Sequence, residues 1–116
     1  MGDVNGRYAA LTQRVVDAVV AGPAHTPSEL RRAVAARAGG AARPGGPPDG
    51  VPAPLASYVD KVSLHAYEVT DADLGALQRA GNSDDSLFEI TVAAALGAAL
   101  ARLERGLAAL RGEEPD

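Results

Sequence analysis

The chain has 116 residues, a formal net charge of -4 and no cysteine. It is long enough for one core and too short for two, and its acidity argues against a nucleic-acid surface, which draws affinity from clustered Lys and Arg. Without a thiol, disulfides, thiolate metal sites and thiol redox chemistry are excluded. Apolar residues make up 47% of the chain but aromatics only 3%, so the core must be built from small and aliphatic side chains in closely packed helices.

In chain order, Met1 to Asn5 has neither a basic segment nor an apolar run of the kind that leads secretion, so a cytoplasmic location is expected. From Asn5 to Ala21 the residues Tyr8, Leu11, Val15, Val16, Val19 and Val20 recur at helical spacing, which predicts an amphipathic helix with that stripe inward. Gly22-Pro23 ends it. Thr26-Pro27-Ser28-Glu29 reads as a capping box, with proline at the first helical position, opening a helix to about Ala38. Arg31, Arg32 and Arg37 are expected on its solvated face.

Residues 39–54 alternate glycine, proline and alanine and predict a linker. It divides an N-terminal helical pair, residues 1–38, from a helical core, residues 55–111, with a short acidic tail at 112–116. Pro54 opens the next helix, which should bury Leu55, Tyr58, Val59, Val62 and His65 or Ala66, leave Asp60 and Lys61 in water, and stop near Glu68. Thr70 caps a short helix through Arg79, with Asp71 and Asp73 in its first turn, and Gly81-Asn82 closes it.

Ser83 or Asp84 caps the last and longest helix. Its first half is small and apolar on nearly every face from Ala93 to Ala99, which permits close helix approach. Leu96, Leu100, Leu103, Leu107 and Leu110 then follow at 4-3-4-3 spacing. A helix apolar all round must be covered all round, and a chain this short has few elements to cover it. Self-association through this region is therefore expected. Glu89, Thr91 and the charged continuation after Ala101 argue against a membrane span here.

The segment from Val69 to Leu103, V-T-D-A-D-L-G-A-L-Q-R-A-G-N-S-D-D-S-L-F-E-I-T-V-A-A-A-L-G-A-A-L-A-R-L, preceded by K-V-S-L-H-A-Y, resembles the AhpD-like fold of the carboxymuconolactone decarboxylase superfamily. The resemblance spans Leu55 to about Leu110 and implies an all-α, AhpD-like helical bundle with a long Ala-rich C-terminal helix, assembled as an oligomer. Redox-active members carry a Cys-x-x-Cys pair and a following histidine, and the ungapped register places these at Ala66, Val69 and Asp73. None of the three is retained, so thiol peroxidase activity is chemically closed to this chain.

Two residues are candidates for chemistry. His65 could serve as a general base with its tautomer set by Glu89 or Glu68. Glu89 stands among Leu87, Phe88, Ile90 and Val92, where burial would raise its pKa toward a useful acid or base. Asp71, Asp73, Asp84 and Asp85 fall in first turns, where acid is expected for capping alone. His25 and His65 are too sparse for a zinc site, and no cofactor motif is present. Two functions follow: a homo-oligomeric or accessory interaction subunit, possibly of a separately encoded enzyme, or a cofactor-free decarboxylase, lyase or isomerase working through His65 and Glu89 on a small-molecule ligand.

Overall fold

The computed structural model describes residues 2–40 and 49–112, with side chains from Gly6 onward. Residues 41–48 of the 39–54 linker and residues 113–116 of the acidic tail therefore lie outside the described residues. Among the described residues the chain is all-α: α1 (Gly2–Val20), α2 (Ser28–Ala38), α3 (Ala53–His65), α4 (Asp71–Arg79) and α5 (Asp84–Leu110), with a 3-10 turn at Ala66–Glu68 after α3.

The core is formed by Val34 of α2, Leu55, Tyr58 and Val59 of α3, Leu77 of α4, and Leu87, Ile90, Ala93 and Ala94 of α5. α2 thus lies in the same core as α3 and α5. Its crossing with α5 is unusually close, because at Gly97 the two backbones meet with no side chain between them. A Cβ at Gly97 would run into the Ala35 carbonyl and come within 2.9 Å of Ala35 Cα. Ala93 and Ala94, both fully buried, extend the contact along α5. Small residues here are a packing requirement, since dispersion contacts fall away within a fraction of an ångström.

The helix ends follow local chemistry in the C-terminal half. Thr70 and Asp73 form a reciprocal capping box on α4, the hydroxyl accepting from the Asp73 amide and the carboxylate from the Thr70 amide. Gly81 takes the left-handed conformation at φ +105°, and Asn82 donates from both its backbone and side-chain nitrogens to the Leu77 carbonyl. Ser83 caps α5 by accepting from the Ser86 amide. Inside, the Thr91 hydroxyl donates to the Leu87 carbonyl, which leaves its oxygen to accept from the buried Tyr58 hydroxyl at 2.6 Å.

Several expectations are corrected. Thr26 does not cap α2; the N-cap is Pro27, which makes no side-chain bond, and the Thr26 hydroxyl is spent on a distant carboxylate. Arg31 and Arg37 do not face solvent. Arg31 is 4% exposed and donates to the Val19 and Gly22 carbonyls at the end of α1, where a cation suits the helix dipole. Arg37 holds Asp60 with two nitrogens and Asp49 with a third, tying the middle of α3 and the segment before it to α2. Asp60 and Lys61 are accordingly half-buried and paired, Lys61 with Asp73, rather than free in water. His65 and Ala66 are both exposed, because the turn into the 3-10 segment swings them off the buried side of α3.

The expected inward stripe of α1 is also outward in part. Val20 is buried and Val16 and Val19 are half-buried, but Tyr8, Leu11 and Val15 are 61%, 49% and 51% exposed. On α5, Leu103 and Leu110 are likewise 47% and 84% exposed. α5 is long and apolar enough to cross a membrane by length and composition, yet its first half packs Leu87, Ile90, Ala93, Ala94, Gly97 and Ala98 against the rest of the chain.

Gly97→Ala should lower stability by about 3 kcal/mol or more, since neither helix backbone can yield to a methyl group. Gly6→Ala, in α1 and with nothing within 4 Å of an added Cβ, should leave it unchanged or raise it by up to about 1 kcal/mol through helix propensity. Urea unfolding of the two variants checks both, and equal effects would remove the close-contact reading of Gly97.

Candidate functional site

Glu89 is where the sequence and the structure converge on one polar group. It sits in the second turn of α5, half-buried, and its carboxylate reaches across to the turn before α2. One oxygen accepts from the Thr26 amide at 2.8 Å and the Thr26 hydroxyl at 2.6 Å; the other accepts from the His25 amide at 2.9 Å. Glu89 therefore takes the place of the local capping box at the entry to α2. The His25 ring lies 3.4 Å from Asp85, with both side chains exposed.

These donors set the charge of Glu89. Desolvation pushes its pKa up, but the Thr26 hydroxyl, the His25 and Thr26 amides and the nearby His25 outweigh it, and the net shift is downward from 4.5. The expected upward shift is corrected for that reason: the segment around Glu89 is apolar in sequence, while its partners arrive from 63 residues away. A carboxylate held ionised by three donors is a poor proton donor at neutral pH and a weak base.

Glu89 lines an open cleft of about 280 Å³ between α1, the α1–α2 turn and α5, together with Val19, Pro23, Arg31, Phe88 and Val92. Arg31 spends two nitrogens on the end of α1 and leaves a buried Nε without a partner. Its two donated bonds fix the loop from which His25 and Thr26 reach Glu89. The cleft is thus a packed joint in which the Glu89 carboxylate and two of the Arg31 nitrogens are bound by neighbouring groups of the chain.

His65 is not part of it. It ends α3, exposed, and its Nδ1 lies 3.5 Å from the Tyr67 hydroxyl, with the two rings edge-on at 6.0 Å. The structure brings Glu89 together with His25 and Thr26, and His65 together with Tyr67. The positions that the resemblance aligns with redox residues are also structural here: Asp73 holds the α4 cap and Lys61, and its pKa is lowered, first by the Thr70 amide and then by Lys61. Arg102, farther along α5 than Glu89, donates to the Ser63 carbonyl in the last turn of α3. Among the described residues no group of three His, Asp or Glu side chains is placed to hold a metal ion.

The second feature is a longer groove of about 390 Å³ between α1 and the distal half of α5, lined by Tyr8, Thr12, Leu100, Leu103, Glu104 and Leu107 among others. Sequence reasoning found its α5 wall in the leucine stripe. It missed the α1 wall, because Tyr8 shares the spacing of an ordinary buried face and Ala9, Thr12 and Gln13 carry no signal of their own.

The chain matches no family model, no curated protein and no solved structure. Its function is therefore argued from these two features.

Because the Glu89 pKa is lowered in the folded state, the tie stabilises the fold fully above the ordinary value of 4.5 and is lost as pH falls through the lowered one. Glu89→Gln should cost about 1 kcal/mol near pH 7, allowing for the partial exposure of the group. Urea midpoints of the two proteins should then converge on acidification below 4.5. A gap that stays constant into strong acid would show that the charge of Glu89 plays no part.

Proposed function

We propose that this chain is a non-redox helical interaction subunit that assembles into a homo-oligomer through the outer face shared by α1 and the distal half of α5. The observation that carries this reading is the exposure of Leu103 and Leu110 on distal α5 and of Tyr8, Leu11 and Val15 on α1, with Tyr8 and Leu103 lining the groove between the two helices. Together these side chains present roughly 500 Å² of surface, and the half-buried leucines around them bring the face toward the ~800 Å² per partner of a stable interface. Large apolar side chains exposed on two packed helices beside a groove mark an interaction surface.

The polar groups point the same way. Glu89 is held by three donors and His65 stands on another part of the surface, so the paired acid and base of an enzyme reading are not assembled. A cytoplasmic setting and the AhpD-like kinship of Leu55 to Leu110 belong to this proposal as well. The kinship rests on the quoted residues alone.

Sedimentation or light scattering across roughly micromolar to submillimolar concentration should give a mass rising from 11.7 kDa to a multiple of it. Leu103→Glu should hold the mass at the monomer value while keeping the helical circular dichroism of the parent, because the side chain is already half in water. A parent chain that stays monomeric throughout would overturn the reading, and so would a Leu103→Glu chain that assembles as well as its parent.

A further inference from the structure

Resting on that reading, we propose that the occupant of this face is the same face of a second copy, with the distal halves of the two α5 helices lying antiparallel about a two-fold axis near Glu104 and Arg105.

On a helix, side chains three and four positions apart share a face. The outward strip of α5 is Leu96, Ala99, Leu103, Gly106 and Leu110, at spacings of 3, 4, 3 and 4. Large and small residues alternate along it. Leu103 and Leu110 stand out, while Ala99 and Gly106 are exposed notches, and a Cβ built on Gly106 meets nothing within 4 Å. Leu100 and Leu107, at the edge toward α1, are half-buried by the chain's own groove.

An alternating strip is complementary to itself in one orientation. With two copies antiparallel, Leu103 of one falls on Gly106 of the other and Leu110 falls on Ala99. Both leucines of each copy then enter notches of its mate. In a parallel, in-register pair Leu103 would face Leu103 and Gly106 would face Gly106, which crowds the large positions and leaves voids at the small ones. Antiparallel helices also set their dipoles head to tail. The two-fold arrangement is closed, so it gives a dimer of identical contacts rather than an open chain of them. Tyr8 of each α1, which lines the groove beside Leu103, adds apolar area next to the α5 pair.

The absence of cysteine makes the test clean. Ala99 and Leu110 are exposed, so Ala99→Cys and Leu110→Cys leave the core untouched. The two positions lie about 16 Å apart along α5, beyond the reach of any disulfide. The two variants, one of them isotope-labelled, are mixed under reduction, oxidised with a mild catalyst and weighed by mass spectrometry, with light scattering on the same samples. The antiparallel pair gives a mixed disulfide between the Ala99→Cys and Leu110→Cys chains severalfold above either self-disulfide. Self-disulfides dominating in both variants would establish a parallel pair and overturn the proposal. A dimer mass with neither product would also overturn it while leaving self-association standing. A monomer mass throughout would remove self-association itself, and the pairing with it.

Discussion

The fold depends on the approach of α2 to α5 at Gly97. With no side chain at that point the Ala35 carbonyl lies against the α5 backbone, and the flanking Ala93 and Ala94 are fully buried. The distance between these helices is set by backbone, which neither repacks nor changes rotamer. Val34 then reaches α3 and α5 from a fixed position, and Tyr58, Val59 and Ile90 close the core around it. In a chain with 3% aromatic residues, this closeness replaces the volume that large side chains would otherwise supply.

Around that contact, charged side chains join helix to helix through main-chain groups. Arg31 satisfies carbonyls at the end of α1, Arg102 does so at the end of α3, and Glu89 accepts amides at the approach to α2. Each helix end has backbone groups with no intrahelical partner, and here those groups receive long side chains from another helix. Such bonds to ionised groups are stronger than neutral ones, and they orient as well as attach. Glu89, which looked like a candidate for chemistry, is in this sense part of the joinery.

The elements were legible in the sequence because they are written locally. Thr70, Asp73, Gly81 and Ser83 perform the capping and turning roles that their types and spacing announce, and the helices lie within a few residues of their expected bounds. What could not be read was non-local. Thr26-Pro27-Ser28-Glu29 has every feature of a capping box, yet a carboxylate 63 residues away takes the Thr26 hydroxyl. The same tie reverses the expected pKa shift of Glu89, since sequence neighbours report burial but not the donors that fold in from elsewhere. The arginines of α2 were likewise ambiguous, because the positions of Val19, Gly22, Asp49 and Asp60 relative to them are a tertiary fact. For the candidate site, Glu89 was identified as the important carboxylate, and its partners were not.

The bond between Thr26 and Glu89 has a bearing on how the chain reaches this state. It closes a loop that holds α2, α3 and α4 in full, and the close contact of α2 with α5 closes a loop nearly as long. Helical proteins usually fold fast because their contacts join neighbours in sequence. Here the second helix finds its main partner in the last, so the entropy of closure must be met before the core rewards it. Synthesis adds a further constraint, since α2 emerges well before the α5 surface that it needs. The order of the helices along the chain, more than their number, sets the pace at which this small protein can become native.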